Sequence, residues 1–264
     1  MSLPLNMEYF RRNIGFSTGS LAHGDFLSAI SMLNVSGANA IELSALREGE
    51  LINLIDSLDK LNLKKYKYIS FHAPSKLLRY TEEELINQLN TVRERGLNII
   101  VHPDIIQDIK LWKQLGSSVC IENMDKRKSK GRTTSDLQEI FNSLPQATFC
   151  LDLAHAKQVD PTMIETLIML KTFSERLKQI HLSDVNSRSI HEPLNLQSLI
   201  SYNRIAPLIN KSTPIILESP VTKDKIENEI QLASLIFEDE EFRNLFQLLG
   251  VSISRNIDSL EVTF

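Results

Sequence analysis

Short apolar runs alternate with amphipathic stretches along most of this chain, a pattern typical of strands separated by helices. The eight predicted strands are 13–16, 40–43, 68–71, 98–101, 119–121, 148–151, 179–182 and 214–217. Between the second and third strands, Leu51, Leu54, Ile55 and Leu58 recur at nearly helical spacing. Strands joined through helices pair in parallel with right-handed crossovers. Eight such units in about 220 residues predict an α/β fold, a closed (β/α)8 TIM barrel.

Residues with strong end preferences mark where several helices begin. The segments 81–84 (Thr-x-x-Glu) and 135–138 (Ser-x-x-Gln) match the capping-box pattern. Asp160, followed by Pro161, predicts an N-cap with proline at the first helical position. We therefore expect a helix to start at each of these three places.

The domain organisation is predicted to be simple, with one domain over residues 1–264. The barrel occupies about 13–230 and a C-terminal helical extension about 231–264, whose acidic cluster at 238–241 is typical of a solvated face. An open doubly wound sheet is the alternative. It is less favoured because its ligands gather at one switch point, whereas here polar side chains follow six strands in succession.

Composition excludes several classes of protein. The chain is 42% hydrophobic and 23% charged, as in soluble globular proteins. Its net charge of −4 gives no overall positive field to hold nucleic acid. No apolar run approaches a membrane-spanning length, and no signal peptide is evident. The two cysteines, Cys120 and Cys150, are predicted to be small buried side chains in a protein of the reducing cytoplasm.

Candidate metal ligands stand at, or just beyond, the C-terminal ends of six predicted strands. They are His72, His102, Glu122, Asp152, His155, His181, His191 and Glu218. A (β/α)8 barrel builds its active site from these strand ends. Imidazole and carboxylate together suit Zn, Mn or Fe better than Mg or Ca. The sequence therefore predicts a divalent-metal enzyme, with Zn or Mn favoured.

The motifs that contain these residues form an ordered series. They are Phe71-His72-Ala73-Pro74, Val101-His102-Pro103, Ile121-Glu122-Asn123-Met124, Leu151-Asp152-Leu153-Ala154-His155, Ile180-His181-Leu182-Ser183-Asp184, His191-Glu192-Pro193 and Leu217-Glu218. In this order and spacing they resemble the xylose isomerase-like barrel superfamily, which includes sugar phosphate isomerases/epimerases and the AP endonuclease IV (AP endonuclease family 2) branch. The resemblance covers about 68–218, and more loosely the first two units.

The resemblance implies one to three metal ions. A central ion would be held by Glu122, Asp152, His181 and Glu218, and a second by His72, His102 and Glu122, with Glu122 bridging. A third would use His155 and His191. The endonuclease branch adds an aspartate two residues before the second histidine, where this chain has Ser189, and isomerases often place glycine where Asn195 stands. The third site is therefore short of a ligand.

Further residues near the predicted mouth are candidates for binding substrate. They are Glu42, Asn123, Lys126, Arg127, Asp184 and Arg188. Glu42 would bind substrate hydroxyls or form a structural hydrogen bond, and Asn123 would orient Glu122 or a substrate oxygen. Lys126 and Arg127 belong to the cationic segment 126–132, which either attracts a phosphate group or is a solvated loop. His23 is expected to be a surface residue.

Two enzymatic functions remain open at this point. The favoured one is a metal-dependent sugar or sugar-phosphate isomerase/epimerase, with Glu122 and Glu218 as the acid/base pair that moves a proton next to a carbonyl. The alternative is a multi-metal phosphoester hydrolase of the AP endonuclease IV type, which the histidines favour. Against it, Ala73-Pro74-Ser75 lacks the bulky residues that the DNA-repair branch inserts into a duplex. A barrel that binds metal without turnover is a third, less favoured hypothesis.

The expected partners follow from these functions. A small sugar or sugar phosphate is the favoured substrate, nucleic acid is disfavoured, and no membrane is involved. The resemblance also implies a homo-oligomer, since relatives are often dimers or tetramers.

Overall fold

The computed structural model describes residues 12–238, which fold around one closed barrel of parallel strands. The barrel strands are β1 (Ile14–Ser17), β2 (Ala40–Ser44), β3 (Tyr68–His72), β4 (Asn98–Val101), β5 (Val119–Glu122), β6 (Thr148–Asp152), β7 (Leu177–Leu182) and β10 (Ile215–Leu217). They neighbour one another in chain order, and β1 closes the barrel by pairing with β10. The predicted (β/α)8 barrel is confirmed, with strand bounds within two residues of the predicted ones.

Helices cover the outside of the barrel. They are α1 (Thr18–Ala22), α2 (Phe26–Asn34), α3 (Glu48–Ser57), α4 (Glu82–Glu94), α5 (Ile109–Trp112), α6 (Thr134–Ser143), α7 (Leu153–Val159), α8 (Ile164–Phe173), α9 (Leu196–Asn203) and α10 (Ile226–Phe237). Thr81 forms the predicted capping box of α4 with Glu84. A short antiparallel hairpin, β8 (Asp184–Val185) and β9 (His191–Glu192), lies between β7 and α9.

Two predicted helix starts are wrong, one at α6 and one at Asp160. At α6 the Thr133 hydroxyl accepts the N–H of Asp136, and the Asp136 carboxylate accepts that of Thr133. Ser135 and Gln138 therefore lie inside the helix. Asp160 instead follows the last residue of α7, a helix that the sequence pattern did not predict.

The carboxylate of Asp160 closes a turn rather than capping a helix at Pro161. It accepts the N–H groups of Thr162 and Glu165, so α8 begins only after the turn. The N-cap of α8 is Met163, in the left-handed region at φ 63°.

The hydrophobic core forms one layer between the barrel and its helices and a second inside the barrel. In the outer layer Phe141, Phe149 and Phe173 pack ring against ring, with centroids 4.9–6.0 Å apart. Inside the barrel, Cys120 and Cys150 pack with Ile100 and are fully buried free thiols. This confirms the prediction that both cysteines are small core residues.

The C-terminal part of the described chain is helix α10, which packs on α9 and the first strand. The predicted extension over 231–264 begins within this helix, and its remainder beyond 238 lies outside the described residues, as does most of the acidic cluster. Within 12–238 no helix is both long and apolar enough to cross a membrane.

Candidate metal centre

The eight predicted metal ligands converge at the mouth formed by the C-terminal ends of the barrel strands. His72, Glu122 and Asp152 are the last residues of β3, β5 and β6. His102 and Glu218 each follow the last residue of a strand. Because parallel strands of a barrel all end on the same side, residues far apart in sequence meet there. The structure brings all eight together in three overlapping sets.

Glu122 lies at the centre of this arrangement and faces four histidines. Its Oε2 is 3.2 Å from Nε2 of His72 and 3.2 Å from Nε2 of His102. Its Oε1 is 3.2 Å from Nδ1 of His181 and 3.5 Å from Nδ1 of His155. Burial would raise the pKa of Glu122, but the charges and hydrogen bonds of His181 and His102 hold it well below its usual value. Glu122 is therefore an anion, and each of its two carboxylate oxygens faces a different pair of histidines.

The central set consists of Glu122, Asp152, His181 and Glu218, all buried. Oδ2 of Asp152 and Oε2 of Glu218 have no hydrogen-bond partner. The latter oxygen lies 3.6 Å from Nδ1 of His181. Burial raises the pKa of Glu218 well above its usual value; the charges of Glu122 and Asp152 add to this, and that of His181 opposes it. Buried acceptors without donors are costly, and a divalent cation among them would remove that cost, so the donor set fits a metal ion.

The set of His72, His102 and Glu122 has one histidine whose orientation is fixed. Nδ1–H of His72 donates to the carbonyl of Ala73 at 2.7 Å, which leaves Nε2 free as a ligand. Hydrogen bonding of the second ring nitrogen commonly fixes the tautomer of metal-binding histidines. Nδ1 of His102 is buried without a partner.

The third set contains His155 and His191, as the resemblance implies, and adds Asp152 rather than a residue at 189. Nδ1 of His155 lies 3.0 Å from the carbonyl of Asn123, and Nδ1 of His191 lies 2.8 Å from the Ser183 hydroxyl. Desolvation lowers the pKa of His191, so its imidazole is neutral near pH 7. Both rings are therefore oriented with Nε2 available as a ligand. Asp152 supplies the carboxylate ligand that is missing at position 189.

Ser189 does not stand in for the missing aspartate. Its hydroxyl donates to Oε1 of Gln158 at 2.6 Å, and its backbone is left-handed at φ 56°. The side chain is buried in the loop that leads to β9. Its role here is to hold this loop against α7.

Asn123 is predicted to orient Glu122 or contact a substrate oxygen, and the structure corrects this. Its Nδ2 donates to the carbonyl of Asp152 at 2.9 Å, and its Oδ1 accepts the N–H of Asp152 at 2.7 Å. Both polar atoms of the amide are thus used within the fold, and the side chain is fully buried. Asn123 fixes the end of β6, and with it the ligands Asp152 and His155.

Asp184 and Arg188, predicted to contact substrate, do not line the mouth in this structure. The Asp184 carboxylate is buried and accepts hydrogen bonds from Lys157, at 3.0 Å, and from Asn195. Arg188 is exposed on the hairpin and does not line the mouth. Asp184 therefore ties the hairpin to α7 and α9 rather than meeting a ligand.

Glu42 lies inside the barrel, beneath the ligand sets, and does not face the mouth. Its side chain is 0% exposed and its Oε2 is 3.0 Å from Nε2 of His181. Of the two roles considered for Glu42, the structural hydrogen bond is the one that the geometry supports. A substrate hydroxyl cannot reach a carboxylate that is covered by the ligands above it.

The mouth above the ligands is a cavity of about 690 Å³ with a partly cationic rim. Arg127 lines it and forms a bidentate pair with Asp125, with N–O distances of 2.8 and 2.9 Å. Lys128 also lines it and pairs with Asp104. Both of these cations are therefore paired with a carboxylate.

One lining residue was not predicted, and one predicted residue does not line the cavity. Lys76, in the loop after β3, lines the cavity without an ion-pair partner among the described residues, and nothing in its sequence surroundings indicated this. His23 is exposed, as expected, at the edge of the same cavity. Lys126 is exposed, and only its backbone N–H makes a bond, to Gln158.

Comparison with known proteins gives similarity of fold. No family model matches the chain, and no curated protein matches its sequence. A xylose isomerase domain protein from Alicyclobacillus acidocaldarius superposes with a TM-score of 0.58 at 12% identity, over 89% of this chain and 99% of that one. Endonuclease IV from Thermus thermophilus gives 0.55 at 16% identity, over 86% and 99%. The 3-keto-D-glucoside 4-epimerase from E. coli gives 0.51 at 13% identity, over 92% and 100%. The chain therefore shares the (β/α)8 barrel fold of these proteins.

Proposed function

We propose that this protein is a multi-metal enzyme of the xylose isomerase-like superfamily that hydrolyses a small phosphoester. The observation that carries the proposal is the position of Glu122, whose Oε2 faces His72 and His102 while its Oε1 faces His181 and His155. A carboxylate placed in this way is suited to bridge two ions. Proton transfer next to a carbonyl needs only the central ligand set, whereas this site has three overlapping sets.

Divalent ions bound in these sets would supply a nucleophile from water at neutral pH and would stabilise both the attacking and the leaving oxygen of a phosphoester. The chain's own residues would do the remaining work. Lys76, Arg127 and Lys128 lie at the rim, where they would attract and orient the phosphate group. Asn123 holds Asp152 and His155 in place from below.

A small substrate is favoured over duplex nucleic acid. The cavity of about 690 Å³ is within the usual size of small-molecule sites. The chain carries a net charge of −4, and Asp104 and Asp125 neutralise part of the cationic rim. These features support a small phosphodiester of a sugar or nucleoside as substrate. One neighbour by fold is named an endonuclease and another an epimerase, so the names do not decide between the two reactions.

The isomerase/epimerase hypothesis remains the second candidate because the central set is complete without the other histidines. It requires Glu122 and Glu218 to exchange protons with substrate. Glu218 suits such a role, since burial raises its pKa. Glu122 suits it poorly, because both of its oxygens are engaged by histidines that hold its pKa low.

Replacing His72 with alanine separates the two functions. His72 belongs to the set that only the multi-metal hydrolase needs. We expect His72→Ala to lower hydrolysis of bis(p-nitrophenyl) phosphate, measured with added Zn²⁺ or Mn²⁺, by about 10²–10³-fold, as for the loss of one group that stabilises a transition state.

The matched control is His23→Ala, which removes a histidine that lines the same mouth but belongs to no ligand set. This variant should keep hydrolysis within about threefold of the wild type, since surface substitutions have small effects. Full hydrolysis by His72→Ala, or a wild-type protein that epimerises sugars and leaves phosphoesters intact, would contradict the proposed function.

A further inference from the structure

A group of polar side chains lies inside the barrel, directly beneath the candidate metal centre. Glu42 and His181 are both 0% exposed, and Oε2 of Glu42 is 3.0 Å from Nε2 of His181. Gln179 and Ser70 donate to the same carboxylate oxygen, at 2.8 and 3.1 Å. Tyr68 in turn donates to Oε1 of Gln179 at 2.6 Å. Barrel interiors are usually filled by apolar side chains, so this polar group calls for an explanation.

The carboxylate of Glu42 is costly where it lies. Burying a charged group without full compensation destabilises a fold. Oε1 of Glu42 is buried with no hydrogen-bond partner. Among the described residues no lysine or arginine pairs with Glu42, and its ion pair is with His181. A purely structural contact would not require a full negative charge at this position.

The contact between Glu42 and His181 bears on which nitrogen of the ring can bind an ion. A neutral imidazole carries one N–H, and an ion on Nδ1 requires that N–H to be on Nε2. This atom lies 3.0 Å from Oε2 of Glu42, which can accept its hydrogen, and 2.8 Å from the amide nitrogen of Gln179. Nδ1 then presents its lone pair to the space between Oε1 of Glu122, at 3.2 Å, and Oε2 of Glu218, at 3.6 Å. Glu42 therefore lies on one side of the His181 ring, and the central-set ligands Glu122 and Glu218 lie on the other side.

We propose that Glu42 is a positioning residue that holds His181 in the tautomer and orientation needed to bind the central metal ion. This inference rests on the metal centre of the proposed function. Carboxylates that accept the second N–H of a metal-binding histidine orient the ring and raise its strength as a ligand, and their loss typically weakens metal binding about 10–100-fold. Gln179 and Ser70 hold Glu42 in place for this role.

The test is a Co²⁺ titration of the full chain after removal of bound metal. Affinity is measured by competition with a chromophoric chelator, and the d–d absorption of Co²⁺ reports its ligand geometry. For Glu42→Gln we expect one equivalent of Co²⁺ to bind about 10–100-fold more weakly, with an altered d–d band. Glu42→Asp keeps the charge, and we expect it to recover part of the lost affinity.

The matched control is Glu165→Gln, which removes a carboxylate on α8 that accepts the N–H of Thr134 outside the barrel. Its Co²⁺ affinity and spectrum should equal those of the wild type. If Glu42→Gln does not fold, Ser70→Ala removes one donor to the same carboxylate. It should weaken binding about threefold, less than the full worth of one hydrogen bond, because the carboxylate itself and its other donor remain.

The outcomes separate this inference from the proposed function. A wild-type protein that binds no Co²⁺ contradicts the metal centre itself. A wild-type protein that binds Co²⁺, with a Glu42→Gln variant equal to it in affinity and spectrum, contradicts only the role of Glu42. An equal loss in Glu165→Gln would also overturn that role, because the effect would then follow from losing any carboxylate.

Discussion

Glu122→Gln is expected to abolish phosphoester hydrolysis, with a loss of about 10³-fold or more, and to lower the number of bound metal ions. Glu122 is shared by the central set and the set of His72 and His102, as Asp152 is shared by the central and third sets, so its neutral replacement weakens two sets. Loss of a single charge-stabilising group typically costs about 10²–10³-fold, and here one substitution affects two such groups. The measurements are initial rates with bis(p-nitrophenyl) phosphate and elemental analysis of the dialysed variant.

The matched control for this substitution is Glu192→Gln. Glu192 is an exposed carboxylate next to His191, and it belongs to no ligand set. Its variant should keep both the hydrolysis rate and the metal content of the wild type. If Glu122→Gln retained its ions and its rate, Glu122 would not be the bridging residue.

Removal of metal is expected to lower the melting temperature by about 8–16 °C. The described fold buries four carboxylates in and beneath the centre, at Glu42, Glu122, Asp152 and Glu218, and bound cations would offset their repulsion. An ion at about 1,000 times its dissociation constant stabilises the folded state by about 4 kcal/mol. For a domain of about 150–250 residues, each kcal/mol shifts the melting temperature by about 2–4 °C.

The experiment compares protein dialysed against a chelator with the same protein after Zn²⁺ or Mn²⁺ is restored. The rise on adding metal should be much smaller in Glu122→Gln, which keeps the fold but lacks the shared ligand. A melting temperature that responds to neither chelator nor metal would show that no ion is bound within the fold.

The barrel and the position of the ligands could be predicted from the sequence because both depend on short, local patterns. Six of the eight ligands directly follow the apolar run of a strand, as His102 follows the run 99–101. In a parallel barrel the ends of all such runs meet at one face. The convergence of the ligands therefore followed once the strands had been identified.

What could not be predicted is which atoms each polar side chain contacts. Asn123 and Asp184 occupy the expected strand ends, yet their polar atoms bond the end of β6 and the side chains of α7 and α9. Glu42 belongs to β2 and points inward, where it meets His181 from β7. These contacts join residues 27 to 139 positions apart, and their geometry depends on the closure of the barrel.

One signal for the polar group beneath the centre was present in the sequence. Gln179 stands two residues before His181 on the same strand, and alternate residues of a strand share a face. A glutamine at an interior position of β7 therefore indicated a polar partner inside the barrel. The sequence also contained a signal for the third ligand set. Asp152 precedes His155 by about one helical turn, so the two side chains could be expected to lie close together.

A metal centre in which several ions share Glu122 can be checked by elemental analysis, which counts the bound ions. The wild-type protein is loaded with Zn²⁺ or Mn²⁺, dialysed, and analysed for metal and for protein concentration. We expect two or three ions per chain. One ion per chain, or none, would exclude a shared multi-metal centre.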